Sequence, residues 1–128
     1  MIQNGTYLNV QDNSGARSVI CIKVLKGYKS RYAFLGDLIL VSIKKLRTKR
    51  KSLSKVKKGE LFKALIVRTK TKFNTLNNGN FNSFLENSVV LINKQNKLVG
   101  TRIFGLVSKK LRYSKFFRII SLSSGTVS

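Results

Sequence analysis

Short apolar runs, each bounded by turn-forming residues, are the feature that most constrains the fold of this chain. The runs are rich in β-branched and aromatic residues and are brief, which favours strands over buried helices. The five runs comprise residues 6–12, 18–25, 38–46, 60–70 and 88–93. Runs at such short intervals predict a mainly β protein, built as a small closed barrel or a sandwich.

Turn signals lie between these runs. The stretch "DNSGA" at 12–16 separates the first two and predicts a hairpin in which Gly15 adopts a left-handed conformation. Gly59 precedes the fourth run, and Asn78-Gly79, a common signal of short hairpins, precedes the fifth. The order of runs and turns therefore predicts a sheet of sequential strands.

The carboxy-terminal residues 107–122 follow a different pattern. Their apolar side chains recur at spacings of three and four, which predicts one or two short helices packed on the β-structure. These side chains are Val107, Leu111, Phe116, Phe117, Ile119 and Ile120. A chain of 128 residues has the size of one ordinary domain, and it contains no repeat and no Pro. We therefore expect a single domain over residues 1–128.

The charge balance predicts a polyanionic partner. Lys and Arg number 26 against 4 acidic residues, for a formal net charge of +22. A merely solvated surface usually mixes both signs, so nucleic acid is the favoured partner and an anionic membrane the second. No apolar run approaches the length of about 18 residues that a membrane span needs, so we predict no membrane insertion. The amino terminus has no secretory or organellar leader pattern, which predicts a soluble, unprocessed chain.

The scarcity of chemically active side chains argues against an enzyme. The chain has no His, and its carboxylates are Asp12, Asp37, Glu60 and Glu86. Side chains that could act as general acids or bases or coordinate a metal are scarce, so no catalytic residue, metal or cofactor is predicted. Cys21 stands alone inside an apolar run, which is typical of a small buried side chain.

The densest charge lies in residues 44–59, "KKLRTKRKSLSKVKKG", which we predict to form an extended basic hairpin between the third and fourth strands. So many like charges repel one another until a phosphate backbone neutralises them, which favours RNA or DNA binding. The same pattern is found in nuclear localisation signals and in inert solvated arms. The cations of this segment are Lys44, Lys45, Arg47, Lys49, Arg50, Lys51, Lys55, Lys57 and Lys58.

Aromatic residues alternate with cations in two other stretches. "GYKSRYAF" contains Tyr28, Tyr32 and Phe34, and the residues from 70 to 84 contain Phe73, Phe81 and Phe84. Rings beside cations are how proteins hold splayed RNA bases, although rings at strand ends also cap barrels. Both interpretations remain open from the residues alone.

Two glycines five positions apart flank the stretch "GTRIFG". A phosphate-binding P-loop would need Lys and then Ser or Thr after the second Gly, but Leu106-Val107 follow Gly105. The glycines instead predict unusual backbone torsions around an exposed Thr101-Arg102 knuckle, with the next two residues turned inward. The basic, apolar tail could also lie on a membrane surface, but the core of so short a chain needs its apolar residues.

The motifs of this chain, in order, resemble the family of large-subunit ribosomal protein 14. The similar stretches cover essentially the whole chain and include the family's signature spacing from Ala64 to Leu91. They are "LNVQDNSGA", "CIKVL", "RYAFLGD", "KVKKGE", "KALIVRTK", "NNG…F…EN", "VVL", "GTRIFG" and "RIISL". The chain departs from the family at Leu106, where Pro is usual, and in its longer basic segment.

The resemblance implies a five-stranded β-barrel with short carboxy-terminal helices, a structural constituent of the large ribosomal subunit. It further implies contacts with large-subunit rRNA, with large-subunit proteins 3 and 19, and with small-subunit rRNA in intersubunit bridges. A ribosomal silencing factor is a further partner that it implies. The residues predicted to dock such partners are Thr101, Arg102, Phe104 and Arg118.

The other candidate residues fall into two sets. Cations outside the basic segment that we predict to bind rRNA are Arg17, Lys23, Lys29, Arg31, Arg68, Lys70 and Lys72. Glycines predicted to form structural turns are Gly15, Gly59, Gly79, Gly100 and Gly105.

Composition also bears on the compartment. Lys, Asn, Ile and Phe are abundant while Ala is rare and Pro absent, as expected of an A/T-rich genome. With no presequence, this bias predicts a mitochondrial ribosome, with a plastid or a bacterial cytoplasm as alternatives. The charge alone would equally allow a free nucleic-acid-binding or translation-regulatory barrel.

Overall fold

The computed structural model describes residues 1–47, 54–74, 79 and 81–127, and these form a mainly β structure around a closed five-stranded barrel. The expected fold class is thus confirmed. The strands are β1 (Tyr7–Val10), β2 (Ala16–Val24), β3 (Leu38–Leu46), β4 (Leu61–Arg68), β5 (Phe73–Asn74), β6 (Phe81–Asn82), β7 (Ser88–Ile92), β8 (Leu106–Ser108) and β9 (Gly125–Val127). A 3-10 helix spans Lys109–Tyr113, and one α-helix, α1, spans Arg118–Leu122.

The barrel closes in the order β1-β2-β3-β4-β7. Its neighbouring strands run antiparallel, except that β1 pairs parallel with β7 through Asn9↔Ser88 and Val10↔Val89. This pairing joins the first run of the chain to the fifth and leaves the five-stranded sheet without a free edge. Of the two predicted architectures, the small closed barrel is therefore the one observed.

The barrel interior is filled by the inward-facing residues of all five strands. Small and β-branched side chains dominate, because a five-stranded barrel leaves little room inside. Cys21 is one of them, at 1 % exposure, and burial raises the pKa of its thiol. The core includes Leu8, Val10, Val19, Cys21, Ile39, Val41, Ile43, Ala64, Ile66, Val89 and Leu91.

A second core lies outside the barrel, on β4 and β7. These strands are apolar on both faces because the carboxy-terminal segment covers their outer side. Their outward residues pack against residues of that segment. The side chains packed together are Leu65, Val67, Val90 and Ile92 of the strands and Ile103, Val107, Leu111 and Ile119 of the carboxy-terminal part of the chain.

The carboxy-terminal segment is less helical than its spacing predicts. Val107 and Ser108 belong to β8, which pairs parallel with β9, whereas a helical tail was expected from residue 107. The two observed helices have five residues each and start at Lys109 and Arg118. Apolar spacing marks the buried face but cannot show that a distant strand, β9, supplies hydrogen bonds to the backbone. No helix of the described residues is long and apolar enough to cross a membrane.

The described part of the basic segment folds back onto the barrel instead of extending from it. Arg47 N donates to Gly15 O (2.9 Å), and Lys55 N donates to Ser14 O (2.9 Å). Val56 is buried in the barrel core. Residues 48–53, which include the predicted Lys49, Arg50 and Lys51, lie outside the described residues, as does Asn78.

Candidate nucleic-acid interface

Two of the four carboxylates, Asp12 and Glu86, accept hydrogen bonds that hold segments of the fold together. Asp12 is fully buried and accepts from Ser14 N (3.0 Å), the Ser14 hydroxyl and Leu91 N (3.1 Å). It thereby joins the 12–16 turn to β7. Glu86 accepts from Asn9 Nδ2 (2.9 Å) and other groups described below. Neither carboxylate is available to balance surface cations.

The other two carboxylates cap backbone turns. Asp37 accepts from Phe34 N (2.8 Å) and pairs with Lys26 Nζ (3.3 Å). Glu60 accepts from Lys57 N (3.0 Å). Among the described residues, the pairs Lys26–Asp37 and Arg68–Glu86 are the only cation–carboxylate contacts within 4.0 Å. The surface charge is therefore almost wholly uncompensated, which is what a polyanion-binding surface requires.

Apart from Arg68, the predicted rRNA-binding cations that the structure describes lie at two opposite ends of the barrel. One end carries the 12–16 turn, the end of β3 and the start of β4; the other carries the β2–β3 loop and the end of β4. We call the exposed cations at the first end the basic rim: Arg17, Lys44, Lys45, Arg47, Lys55, Lys57 and Lys58. The exposed cations toward the second end are Lys23, Lys29, Arg31, Lys70 and Lys72.

Arg68 does not belong to either set, which corrects its predicted role. Its side chain is buried, and it donates to Leu106 O (2.7 Å), to Phe104 O and to Glu86 Oε1 (3.0 Å). Three of its five N–H donors are used inside the protein and the side chain is 10 % exposed, which leaves little of the guanidinium open to phosphate. Arg68 therefore fastens residues 104–106 to the barrel and is withdrawn from the rRNA-binding candidates.

Glu86 completes this internal network. Besides Asn9 and Arg68 it accepts from Gln11 Nε2 (2.8 Å). Burial alone would raise the pKa of the Glu86 carboxyl, but the bond from Asn9 and the positive charge of Arg68 outweigh it, so the pKa lies below its ordinary value. The carboxylate stays ionised and connects Asn9 of β1 with Arg68 of β4, two strands that flank β7 in the barrel.

The residues 100–105, which we call the knuckle, are anchored by Asn13. Its Oδ1 accepts from Thr101 N (2.7 Å) and Arg102 N (3.3 Å), while its Nδ2 donates to Thr101 Oγ1 (2.8 Å). Because Asn13 lies in the 12–16 turn, the knuckle sits at the same end of the barrel as the basic rim. The fold thus brings together two stretches that are far apart in sequence.

Arg47 links the basic rim to the knuckle. Its Nη2 donates to Val10 O (3.2 Å), and its guanidinium lies over the Phe104 ring, 4.9 Å from the centroid. Phe104 is half-buried beneath this cation, so it is a poorer docking residue than Thr101 and Arg102, both of which are exposed. Stacking on the ring positions Arg47 at the surface.

A groove of about 690 Å³ separates the knuckle from α1. Thr101 and Arg118, both predicted docking residues, line it, and Arg102 and Phe104 do not. Its floor is apolar, with Leu38, Leu98 and Phe116, and Lys97 and Lys115 line it as well. The groove can take an apolar side chain of a partner beneath a positively charged opening.

The glycines of this region act in two different ways. Gly15 has φ +101°, and a Cβ there would stand 2.9 Å from Ser54 Cα, so the turn needs both the torsion and the space. Gly59, Gly79 and Gly105 also have positive φ, of 85°, 71° and 77°. Gly100 does not, contrary to the unusual torsion predicted for it; a Cβ there would lie 2.7 Å from Asn13 Oδ1. Gly100 is thus required for the close approach of Asn13.

Sequence reasoning missed Asn13 and the network of Asn9, Gln11 and Glu86. The only local signal was the turn-forming character of "DNSGA", which does not say what its side chains reach. Of the aromatic candidates, Phe73 and Phe84 stack on each other, with centroids 5.7 Å apart, whereas Phe81 is exposed. Within the described ranges, no three His, Cys, Asp or Glu side chains cluster as metal ligands would.

A family comparison supplies the context for this surface. The family model of ribosomal protein L14p/L23e matches residues 1–127, nearly the whole chain. Proteins of this family are structural constituents of the large ribosomal subunit. Because this match covers nearly the whole chain, the chain belongs to the ribosomal protein L14p/L23e family.

Proposed function

We propose that this chain binds large-subunit rRNA through its exposed cations, as a structural constituent of the large subunit. The observation that carries the proposal is the lack of compensation: the described residues hold two ion pairs, and one of those is largely internal. An isolated surface of this kind is repulsive, and an RNA backbone removes the repulsion while releasing condensed counterions.

The basic rim is the principal phosphate-binding element of this proposal. Its cations come from β2, β3 and the segment that returns to β4, and Ser18 and Lys45 are paired across the first two. Cations on a rigid barrel need little ordering when they bind, which favours affinity. Lys49, Arg50 and Lys51 extend this element in the proposal, with residues 44–59 acting as one basic hairpin.

The knuckle and the groove beside α1 form the second proposed surface. Exposed Thr101, Arg102 and Arg118 would face small-subunit rRNA in an intersubunit bridge or the acidic side chains of a silencing factor. Large-subunit proteins 3 and 19 are the proposed protein neighbours. The whole chain, 1–128, acts as one domain in this scheme, with residues 107–122 as its tail.

We also propose that the chain belongs to a mitochondrial ribosome, because its amino-acid composition is that expected of an A/T-rich genome. A tagged copy that co-purifies with plastid or bacterial ribosomes in its native cell would contradict this assignment.

Sedimentation tests the main proposal. A native extract is resolved on a sucrose gradient after high-salt washing, and the chain is followed by antibody. We expect it to remain with the large subunit, since many simultaneous contacts survive salt that removes loosely bound proteins. Recovery in the light fractions, with RNA binding intact, would instead identify a free nucleic-acid-binding or translation-regulatory barrel.

A further inference from the structure

The β2–β3 loop, residues 25–37, carries an exposed aromatic ring that the phosphate-binding scheme does not use. Tyr28 is 92 % exposed, the most exposed aromatic side chain among the described residues. Capping of the barrel was one interpretation of this stretch, but a ring so open to solvent caps nothing. The Tyr28 ring is therefore open to contact with a partner molecule.

The base of this loop is firmly anchored. Ile2 and Ala33 exchange two backbone hydrogen bonds of 3.0 and 2.8 Å, and Leu25 N donates to Leu38 O (3.1 Å). The exposed residues 26–29 and 31–32 therefore project from a fixed base. A ring held on such a base can meet a partner without first ordering the whole loop.

An unusual backbone torsion accompanies the exposed ring. Lys29 has φ +58°, a region that side-chain-bearing residues rarely occupy, and Gly27 has φ +130°. Neighbouring side chains of an extended strand point to opposite faces, yet Lys29 Nζ lies 5.4 Å from the Tyr28 ring centroid. The turn thus brings a cation to the ring at a cost in backbone strain, and such strain is often found at binding sites.

The other rings of the loop are less suited to a partner. Lys26 Nζ lies 5.0 Å from the Phe34 centroid but already pairs with Asp37, and the Phe34 ring is 42 % exposed. Tyr32 is 42 % exposed. Tyr28 alone in this loop combines an almost fully open ring with a cation that has no carboxylate partner.

We propose that Tyr28 stacks on an unpaired nucleotide of RNA, while Lys29 and the exposed Arg31 contact its phosphates. This inference rests on the proposed rRNA-binding function and names the ligand class for the β2–β3 end of the barrel. Flat rings stack on any base, and adjacent cations hold the backbone, which is how single-stranded nucleic acid is bound. The loop's one acidic residue, Asp37, is already paired, so nothing in it repels phosphate.

The absence of Trp from the sequence allows a direct test. Tyr28→Trp introduces one indole at the proposed stacking position, and Tyr7→Trp introduces one on β1, where the ring is 67 % exposed with no cation over it among the described residues. Each full-length variant is titrated with a short single-stranded oligouridylate, with a duplex of the same length, and with heparin. We expect strong quenching of the indole at position 28 by the single strand alone, and little change at position 7.

Affinity provides the second measurement. Tyr28→Leu should weaken single-strand binding by about 5- to 150-fold, the loss expected for one stacked base, whereas Tyr28→Phe should retain it. Duplex binding, which depends on phosphates, should stay unchanged in both variants. Thermal unfolding is expected to be unaltered, because the ring touches little of the protein.

The outcomes separate this inference from the function beneath it. If Tyr28→Leu binds the single strand as the parent does, or if the indoles at positions 7 and 28 are quenched alike, the stacking proposal is overturned. Binding of a structured rRNA fragment by the parent would in that case still support the proposed function. If the parent binds neither the single strand nor the structured rRNA fragment, both proposals fail.

Discussion

Asn13 and Thr101, 88 residues apart, hold each other through a reciprocal pair of hydrogen bonds: Thr101 N donates to Asn13 Oδ1 at 2.7 Å, and Asn13 Nδ2 donates to Thr101 Oγ1 at 2.8 Å. One amide side chain thereby fixes the position of the knuckle on the barrel. Arg102 N also donates to the same Oδ1, at 3.3 Å.

Asn13→Ala should loosen the knuckle while the barrel stays folded. Three hydrogen bonds are lost at an exposed site, so we expect the free energy of unfolding to fall by about 1 kcal/mol, with faster amide exchange at Thr101 and Arg102. Asn13→Asp keeps the acceptor for both amides and should retain most of the protection. Unchanged exchange in the Ala variant would show that Asn13 does not anchor the knuckle.

Gly15→Ala should destabilise the protein more than Gly59→Ala. Both positions have positive φ, so each substitution costs about 1 to 2 kcal/mol of backbone strain. A Cβ at Gly59 would meet open space, whereas at Gly15 it would crowd Ser54 and displace the start of the returning basic segment. Urea denaturation of both variants measures the difference; equal losses would mean that strain alone matters.

Replacing Arg68 with Met should lower stability, whereas replacing Lys70 with Met should change RNA binding. Arg68→Met leaves the carbonyls of Phe104 and Leu106 without this donor and the Glu86 carboxylate without its ion-pair partner, so we expect a loss of about 1 to 3 kcal/mol of stability. The exposed Lys70→Met should leave stability unchanged within about 0.5 kcal/mol and reduce the slope of log affinity against log salt by about 1. The measurements are urea melts and RNA titrations over a range of salt. A reversed pattern would return Arg68 to the RNA-binding set.

Stability should depend on pH through Glu86. Because the pKa of Glu86 in the folded chain lies below its ordinary value of 4.5, the ionised carboxylate contributes stability that is present above that pH. This contribution is lost as the pH falls through the folded-state pKa. Glu86→Gln should be less stable than the parent at neutral pH and should lose less stability on acidification. Parallel pH profiles of the two melting temperatures would contradict the assignment.

Arg102→Glu should separate folding from docking. The side chain is exposed, so the variant should fold and enter large subunits, with stability changed by about 0.5 kcal/mol or less. Joining to the small subunit, or capture of a silencing factor, should weaken because an anion would face RNA phosphate or acidic side chains. Lys94→Glu, an exposed change of equal charge outside the knuckle, is the control. Full occupancy with both associations unaltered would refute the docking role, and lost occupancy would make Arg102 an rRNA anchor.

The strands could be predicted from the sequence because they depend on neighbours in the chain. Alternating or continuous apolar residues and intervening Gly, Asn and Asp are local signals, and each of the five predicted runs overlaps one barrel strand. The excess of positive charge is likewise a property of composition, and it predicts a polyanionic partner however the chain folds.

Only the tertiary structure decided which residues meet. The parallel β1–β7 pairing closes the barrel, β9 converts part of the expected helical tail into β8, and Asn13 fixes the knuckle; each joins segments far apart in sequence. Arg68 and Lys70 are both basic residues at the end of one apolar run, yet Arg68 points into a ring of internal acceptors and Lys70 into solvent. The sequence by itself determined the five strands of the barrel and the charge. Which cations remain free for RNA depends on long-range contacts that bury some and expose others, and no local pattern encodes those contacts.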